Sequence, residues 1–272
     1  MIQPDTRALE LSRYWNLGPL ELMTRTASAN IWHAPCVDRV LKHFTPTGQK
    51  DEAGGTHWLR WANGNGAVHL FDHTDDAQLL AYCAGPDATS LPDAFAIQNI
   101  CGAIMQFPGT ASPHGLTPLD IRLSSLLIHP DTPNDTTTFA RTACRALLAR
   151  PPATRPLHGD IHHGNTLQTG KRWVLIDPKG LIGDPHYDVA NMFFNPVSDP
   201  KRVKNADRAQ LMARQLAETL GYCPNRLLCF AFVHATIAGI WAEEDGQDPQ
   251  FAFDVAEILK PMAREVFDAI VA

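Results

Sequence analysis

The spacing of hydrophobic and polar residues changes about a third of the way along the chain. Before residue 83, short segments in which apolar and polar side chains partly alternate predict β-strands, with one helix between them over residues 49–61. Beyond that point, apolar residues recur at helical spacing, and Pro and Gly are concentrated in the turns. We therefore expect a small β-rich lobe over residues 1–83 and a larger, mainly helical lobe over residues 84–272. The predicted strands cover residues 20–26, 30–34, 37–42, 67–71 and 78–82.

One segment of the helical half has the pattern of β-structure. Residues 165–168 and 173–176 flank a turn that contains Gly170, which together predict a β-hairpin. Farther along the chain, Asn205 is a typical helix N-cap and Gly221 a typical helix stop. The later helices are expected over residues 205–220, 226–242 and from about residue 249 to the end.

Composition and charge exclude several classes of protein. With 272 residues, 44% of them hydrophobic and 19% charged, the chain is expected to fold into a globular unit with a sizeable core. A net charge of -6 argues against nucleic acid or an anionic membrane as a partner, since both need a basic face. The most apolar segment, residues 227–242, is shorter than the roughly 20 residues of a spanning helix, so we expect a buried helix. The N-terminal segment has no basic start followed by an apolar stretch, which predicts a cytoplasmic protein.

Polar residues cluster around the predicted hairpin. Asp160 lies between Gly residues in a loop, where a carboxylate can accept a proton from a nucleophilic hydroxyl. Asn165 and Asp177 stand at the two ends of the hairpin and are therefore expected to be neighbours in space. An amide oxygen next to a carboxylate suits Mg²⁺, which also binds phosphates. The pattern indicates phosphoryl transfer, in which enzymes mainly position groups and neutralise charge.

Three groups of motifs resemble the aminoglycoside phosphotransferase family, and most closely its streptomycin 6-kinase and hydroxyurea kinase branch. The most specific strings are H-G-D-I-H-H-G-N, I-D-P-K-G-L-I-G-D-P and A-N-M-F-F-N-P, between residues 158 and 196. Supporting strings are D-E-A-G-G-T-H-W-L-R-W-A-N-G-N-G-A-V at 51–68 and W-A-E-E-D-G at 241–246. The resemblance implies an α+β, protein-kinase-like bilobal fold. It also implies an enzyme that uses ATP and Mg²⁺ to phosphorylate a hydroxyl of a streptomycin-type aminoglycoside.

The resemblance implies roles for residues of the catalytic segment. Asp160 would be the catalytic base or would orient the acceptor hydroxyl. Asn165 and Asp177 would be the Mg²⁺ ligands. His158 and Asp188 would support the loop that carries Asp160.

In the smaller lobe the resemblance implies a nucleotide site. Lys42 would contact the ATP phosphates and pair with Glu52, while the backbone near Ala81 and Cys83 would receive the adenine. The chain departs from the wider kinase pattern here, because the turn at 24–30 contains no Gly and G-x-G-x-x-G is absent. We expect backbone N–H groups and the hydroxyls of Thr26 and Ser28 to cover the phosphates instead.

An acidic run follows the most apolar helix and has two interpretations. Acids at a helix C-terminus oppose the helix dipole, which favours a pocket for the guanidinium or ammonium groups of a cationic substrate. A solvated helix end is the simpler alternative. The run consists of Glu243, Glu244, Asp245 and Asp248.

Other functions remain open on the sequence. The acceptor could be hydroxyurea or another small metabolite, because specificity depends on contacts that one sequence does not identify. A catalytically weak nucleotide-binding protein is a second alternative. A metallophosphoesterase is a third alternative. In such enzymes the G-D and G-N blocks are widely separated, whereas in this sequence they are fused into one loop. His158 and His162 do not predict a zinc pair, since Gly159 and Gly164 disfavour the helix that such a pair needs. We expect a monomer or weak dimer.

Overall fold

The computed structural model describes residues 3–130 and 135–271, apart from the side chains of residues 50–52 and 271. An antiparallel sheet forms the N-terminal part, with strand order β1-β2-β3-β5-β4. Its elements, with the helices that accompany them, are α1 (Thr6–Tyr14), β1 (Glu21–Arg25), β2 (Ala29–Ala34), β3 (Arg39–Phe44), α2 (Pro46–Ala62), β4 (Leu70–Thr74) and β5 (Ala77–Ala81).

Both faces of this sheet are covered because side chains alternate along each strand. In β3, Leu41 packs with Leu11 of α1 and Trp32 on one face. Its neighbour Val40 packs with Trp58 of α2 on the other face. Helix α1 was not among the predicted elements, yet it is what closes the first face.

The C-terminal part is mainly helical, with two small β-elements. A three-stranded sheet has the order β6-β10-β7, and β8 pairs with β9 as a separate antiparallel hairpin. The elements are α3 (Asp93–Ile104), β6 (Thr117–Pro118), α4 (Leu119–Arg122), α5 (Ser124–Ile128), α6 (Asp135–Ala149), β7 (Arg155–Leu157), β8 (Thr166–Thr169), β9 (Arg172–Leu175), β10 (Leu181–Gly183), α7 (Pro200–Val203), α8 (Ala206–Leu220), α9 (Pro224–Glu244) and α10 (Gln250–Val271), with 3-10 helices at His163–Asn165 and Pro185–Met192.

Several predicted elements are confirmed with their ends. The hairpin joins β8 and β9 through a turn at Gly170, whose φ of 57° is left-handed. Helix α8 begins where the Asn205 side chain accepts a hydrogen bond from the N–H of Arg208 at 3.0 Å. It ends at Gly221, with φ of 69°. The predicted strand at 67–71 starts later than expected, because Ala67 pairs with Leu175 outside the sheet.

Helix α9 is the centre of the larger core. Its residues Phe230, Phe232 and Ile237 have no exposed surface, and α6, α8 and α10 pack around it. Within the described residues it is the one helix long and apolar enough to cross a membrane, but 72% of that stretch is buried inside the fold. This is the environment of a core helix, which agrees with the expectation from the sequence.

The α+β class expected from the sequence is confirmed. The five-stranded sheet ends at Ala81, close to the boundary predicted at residue 83. Residues beyond the sheet form the helical part, including the hairpin that carries the polar cluster. The division into lobes at residues 1–83 and 84–272 stays a prediction.

Candidate active site

The backbone of the loop that carries Asp160 is held in place by the buried carboxylate of Asp188. Asp188 accepts hydrogen bonds from the N–H groups of His158 at 3.1 Å and Gly159 at 2.7 Å. Burial raises the pKa of Asp188 to about 7, and these two N–H groups oppose the shift. Gly159 has φ of 82°, and a Cβ there would lie 2.7 Å from a side-chain carbon of Leu181. The Gly of the H-G-D string is therefore required by both backbone conformation and space.

His158 connects this loop to the strand end that precedes Asp177. Its Nδ1 accepts from the N–H of Asp160 at 3.3 Å, so the proton is on Nε2, which donates to the carbonyl of Ile176 at 2.9 Å. Burial lowers the pKa of His158 to about 4, so the ring is neutral at neutral pH. The ring also packs edge-on against Trp58 of α2, with centroids 5.1 Å apart.

The Asp160 carboxylate is held by two carboxamides. Asn191 Nδ2 donates to Asp160 Oδ1 at 2.7 Å, and Asn165 Nδ2 donates to Asp160 Oδ2 at 3.2 Å. Asn165 Nδ2 also lies 3.0 Å from the main-chain oxygen of Asp160. Since a carboxylate offers about four lone-pair sites, both oxygens keep capacity for a further donor such as a substrate hydroxyl.

Lys42 and Asp177 form an ion pair beside this loop. Lys42, on β3, is 6% exposed, and its Nζ donates to Asp177 Oδ1. Burial alone would raise the pKa of Asp177, but the charges of Lys42 and Lys179 and the hydrogen bond from Lys42 lower it to about 2. Asp177 has φ of 61°, a left-handed conformation that Asp tolerates better than most residues. The carboxylate is thus ionised at neutral pH.

A cavity of about 280 Å³ lies between the sheet and the hairpin. Its apolar walls, formed by β-strand residues from both sides, suit a flat aromatic ring, while Lys42 and Asp177 give it a charged end. Seven residues expected from the sequence line it: Thr26, Ser28, Lys42, Ala81, Cys83, Asn165 and Asp177. The structure therefore brings together the predicted nucleotide contacts and the predicted Mg²⁺ ligands.

Hydrogen bonds connect the turn at residues 24–30, which contains no Gly, to the start of α2. Thr45, the N-cap of α2, donates its hydroxyl to the carbonyl of Ala27 at 2.8 Å and its N–H to the carbonyl of Ser28 at 2.8 Å. A Cβ at Gly48 would overlap that Ser28 carbonyl. Thr26 Oγ1 accepts from the N–H of Ala29 at 3.0 Å and lies 3.2 Å from the Ser28 hydroxyl. Contacts with α2 therefore hold the turn where a glycine-rich loop would otherwise be expected.

Some predicted residues are not part of this cluster. Glu52 belongs to α2, but its side chain lies outside the described residues, so its pairing with Lys42 stays a prediction. The acidic run is exposed at the end of α9 and in the turn after it. There, Asp248 accepts from the N–H of Gln250 at the start of α10 at 2.9 Å, and Glu244 accepts from the Ser125 hydroxyl at 3.1 Å. These contacts describe helix ends, and a cation pocket stays a prediction.

Several polar residues near Asp160 were not predicted to have a role. Asn191 and Asn195 lie in the A-N-M-F-F-N-P string, which had entered only as a family motif. His234 lies in the apolar α9, where no motif or spacing in the sequence marked it. Its Nδ1 is 3.3 Å from the hydroxyl of Tyr187. Burial lowers the pKa of His234 to about 4.

The described residues contain no group of three His, Cys, Asp or Glu side chains able to hold a metal ion. Asn165 and Asp177 together offer an amide oxygen and an ionised carboxylate on the wall of one cavity. Mg²⁺ is commonly bound by one or two such side chains together with substrate phosphates. The donor set therefore fits Mg²⁺ that arrives with a nucleotide better than a metal held by the protein alone.

Comparison of the sequence with known proteins identifies related kinases. Residues 14–246 match the family described as "Aminoglycoside/hydroxyurea antibiotic resistance kinase". The chain is 33% identical over 229 residues to streptomycin 3''-kinase of Klebsiella pneumoniae, covering 80% of this chain and 86% of that protein. It is 27% identical over 225 residues to streptomycin 6-kinase of Streptomyces glaucescens, covering 76% and 71%.

Solved structures show the same fold at low sequence identity. A choline/ethanolamine kinase family protein from Mesorhizobium loti matches with a TM-score of 0.67 and 18% identity, covering 93% of this chain and 92% of that one. The APH(2")-IIa protein in its ternary complex with streptomycin and ATP matches with a TM-score of 0.59 and 12% identity, covering 89% and 91%. The protein-kinase-like fold is confirmed. Since the family match covers far more than half of the sequence, the chain belongs to the aminoglycoside/hydroxyurea antibiotic resistance kinases and is a phosphotransferase.

Proposed function

We propose that this phosphotransferase transfers the γ-phosphate of ATP to a hydroxyl of a streptomycin-type aminoglycoside. The observation that carries the proposal is the placement of Lys42, Asn165 and Asp177 at the charged end of one cavity with apolar walls, where Asn165 also donates to the Asp160 carboxylate. The nucleobase would lie between the apolar walls near Ala81 and Cys83. The phosphates would extend past Ser28 toward Lys42.

The proposed chemistry is a direct transfer between two oxygens. The acceptor hydroxyl loses its proton to Asp160 as its oxygen bonds to the γ-phosphorus. The bond between the γ-phosphorus and the bridging oxygen breaks, and ADP leaves with that oxygen. Lys42 supplies positive charge to the phosphates through this change, and the neutral His158 keeps the Asp160 loop in place.

Mg²⁺ is the proposed metal, held by Asn165 and Asp177. When bound, it neutralises charge on the phosphate oxygens. The Asn165 amide nitrogen is directed to Asp160, which identifies its oxygen as the atom available to a metal. Because Lys42 already pairs with Asp177, we expect the lysine to transfer part of its contact to the phosphates when the nucleotide binds.

The identity of the acceptor molecule is the most specific part of the proposal. The match to two streptomycin kinases supports an aminoglycoside, while the family description also includes hydroxyurea. The acidic run would contact the cationic groups of streptomycin. Replacing both Glu243 and Glu244 by Gln should then raise the KM for streptomycin several-fold and leave the KM for ATP unchanged.

A coupled assay of ADP release tests the proposal. Purified protein with Mg²⁺ and ATP is incubated with streptomycin, other aminoglycosides, hydroxyurea or no acceptor, and products are identified by mass spectrometry and NMR. We expect phosphorylated streptomycin, with the NMR spectrum distinguishing the 3''-hydroxyl from the 6-hydroxyl. The Asp160→Asn variant should bind ATP and form no product. Phosphorylation of hydroxyurea alone would replace the acceptor, and nucleotide binding without any product would contradict the proposed activity.

We also propose that the enzyme acts as a soluble cytoplasmic protein, as a monomer or weak dimer. The burial of α9 within the core supports a soluble protein. Light scattering at several protein concentrations would measure the oligomeric state.

A further inference from the structure

The short 3-10 segment Pro185–Met192 contacts both the backbone of the Asp160 loop and the Asp160 carboxylate. Asp188 binds the loop backbone, and three residues later Asn191 donates to Asp160 Oδ1 at 2.7 Å. Asn165 Nδ2 donates to the other carboxylate oxygen, Asp160 Oδ2, at 3.2 Å. Each oxygen of Asp160 therefore has one carboxamide donor, and only the Asn165 donor belongs to the expected metal site.

The orientation of the Asn191 amide is determined by a second Asn. Asn195 Nδ2 donates to Asn191 Oδ1 at 2.8 Å and to the Asn191 main-chain oxygen at 3.1 Å. If the Asn191 amide were reversed, its NH₂ would face the NH₂ of Asn195, and its oxygen would face the Asp160 carboxylate. Both contacts would be repulsive, so the network permits one orientation only.

Asn195 is itself fixed in the core. It is 8% exposed, and its main-chain oxygen accepts from Arg208 Nη2 at 2.8 Å. The same guanidinium donates to Asp93 at 2.8 and 3.0 Å. The hydrogen bonds from Asn191 thus end in an ion pair between α8 and the start of α3.

We propose that Asn191 is a positioning residue that fixes the Asp160 carboxylate for proton transfer, and that Asn195 acts on Asp160 by orienting Asn191. The inference rests on the proposed function for the role of Asp160. Held by Asn165 and Asn191, the carboxylate keeps one rotamer and directs its remaining lone pairs to the acceptor hydroxyl. Misplacement of a reacting group by about 1 Å can lower a rate about 100-fold.

Steady-state kinetics with streptomycin as acceptor test the role of the Asn191 donor. Asn191→Asp keeps the side-chain volume but replaces the donor by an acceptor of like charge. We expect it and Asn191→Ala to lower kcat about 100-fold, with the KM for ATP changed less than about twofold. Gln210→Ala, which removes an exposed carboxamide on α8, should leave both parameters unchanged. Should Asn191→Ala unfold below the assay temperature, Asn191→Ser, which is too short to reach Asp160, replaces it. Near-normal kcat in the Asp variant would overturn the proposal, because packing alone would then suffice.

The relay through Asn195 has its own test. Asn195→Ala should lower kcat about 10-fold, and the loss should disappear in the Asn191→Ala background, since residues acting through one contact are not additive. Fully multiplicative losses in the double variant would overturn the relay.

A spectroscopic readout separates this inference from the proposed function. The side-chain NH₂ signal of Asn191, assigned by its absence in Asn191→Ala, should shift in both Asp160→Asn and Asn195→Ala spectra. If the wild-type protein phosphorylates no acceptor, the proposed function fails, while these shifts still report the hydrogen-bonded chain. An Asn191 signal that is unchanged in both variants would show that the hydrogen bonds from Asn195 through Asn191 to Asp160 are not formed.

Discussion

Lys42 and Asp177 lie 135 residues apart in the chain and form an ion pair at the charged end of the cavity between the sheet and the hairpin. The lysine comes from the central part of the five-stranded sheet and the aspartate from the segment after the hairpin. The pair therefore joins the two parts of the fold at the point where phosphates are expected.

Replacing Lys42 by Met should affect catalysis more than stability. Removal of one positive group that stabilises transferring charge typically lowers kcat about 100- to 1,000-fold. The Asp177 side chain is 35% exposed, so water can solvate it once the lysine is gone. Lys171→Met, at the exposed hairpin turn, is the control. Isothermal titration with a non-hydrolysable ATP analogue and steady-state kinetics measure both effects, and a kcat within tenfold of wild type would contradict the assignment.

Asp188→Ala should destabilise the protein strongly. It leaves the buried N–H groups of His158 and Gly159 without their acceptor, and each unsatisfied donor costs about 1–3 kcal/mol. We expect the free energy of unfolding to fall by about 2–5 kcal/mol in urea titrations. Asp188→Asn keeps one acceptor oxygen and should lose less. Asp120→Asn, on the exposed surface of α4, should be neutral, and an Ala variant as stable as wild type would show that water replaces the carboxylate.

His234 predicts a loss of stability in acid. Its pKa is about 4 in the folded protein and 6.5 in the unfolded chain, so below pH 6.5 the unfolded chain binds the proton more tightly. The contribution of His234 is therefore constant above about pH 7, and about 3 kcal/mol is lost between pH 7 and pH 4. His158 titrates in the same direction, and Asp188 opposes both.

Comparison with His234→Gln isolates this residue. Gln can still bond the hydroxyl of Tyr187 but does not titrate, so its free energy of unfolding should fall about 3 kcal/mol less over the same pH range. His114→Gln, at an exposed position, is the matched control for the substitution itself. Parallel curves for the wild type and His234→Gln would show that the ring is accessible to protons in the folded state.

Gly48→Ala separates helix propensity from contact with the turn at residues 24–30. In a helix this change usually stabilises by about 1 kcal/mol, as we expect for Gly102→Ala in α3, where a Cβ meets nothing within 4 Å. At Gly48 the new Cβ overlaps the Ser28 carbonyl, so the turn must shift. The KM for ATP should rise about tenfold with little change in kcat. An unchanged KM in a stable variant would show that the turn does not cover the nucleotide.

Local patterns predicted a large part of this fold. The caps of α8 and the hairpin depend on residues within a few positions of one another, and both were found as expected. Helix α1 was missed because its sequence is mostly polar and only Ala8, Leu11 and Ser12 are buried. Its burial depends on a sheet face that no local pattern reveals.

The candidate site was predictable to the extent that a motif carries it. The residues around the hairpin form one sequence-local cluster, and the structure keeps them together. Long-range partners could not be derived, because neither Lys42 with Asp177 nor Asn191 with Asp160 is marked by spacing. Asn191 and Asn195 were visible as polar residues in an otherwise apolar string, which was the available signal for their role.

The position of Cys83 on the wall of the proposed nucleotide cavity has a consequence for covalent inhibitors. Burial, together with the charge of Asp38, raises the pKa of the Cys83 thiol. Because the thiolate is the reactive form, an acrylamide attached to an adenine analogue should label this cysteine slowly at neutral pH, and much faster as the pH is raised. Useful irreversible inhibition of this kinase would therefore depend on long residence of the analogue in the cavity rather than on the reactivity of the thiol.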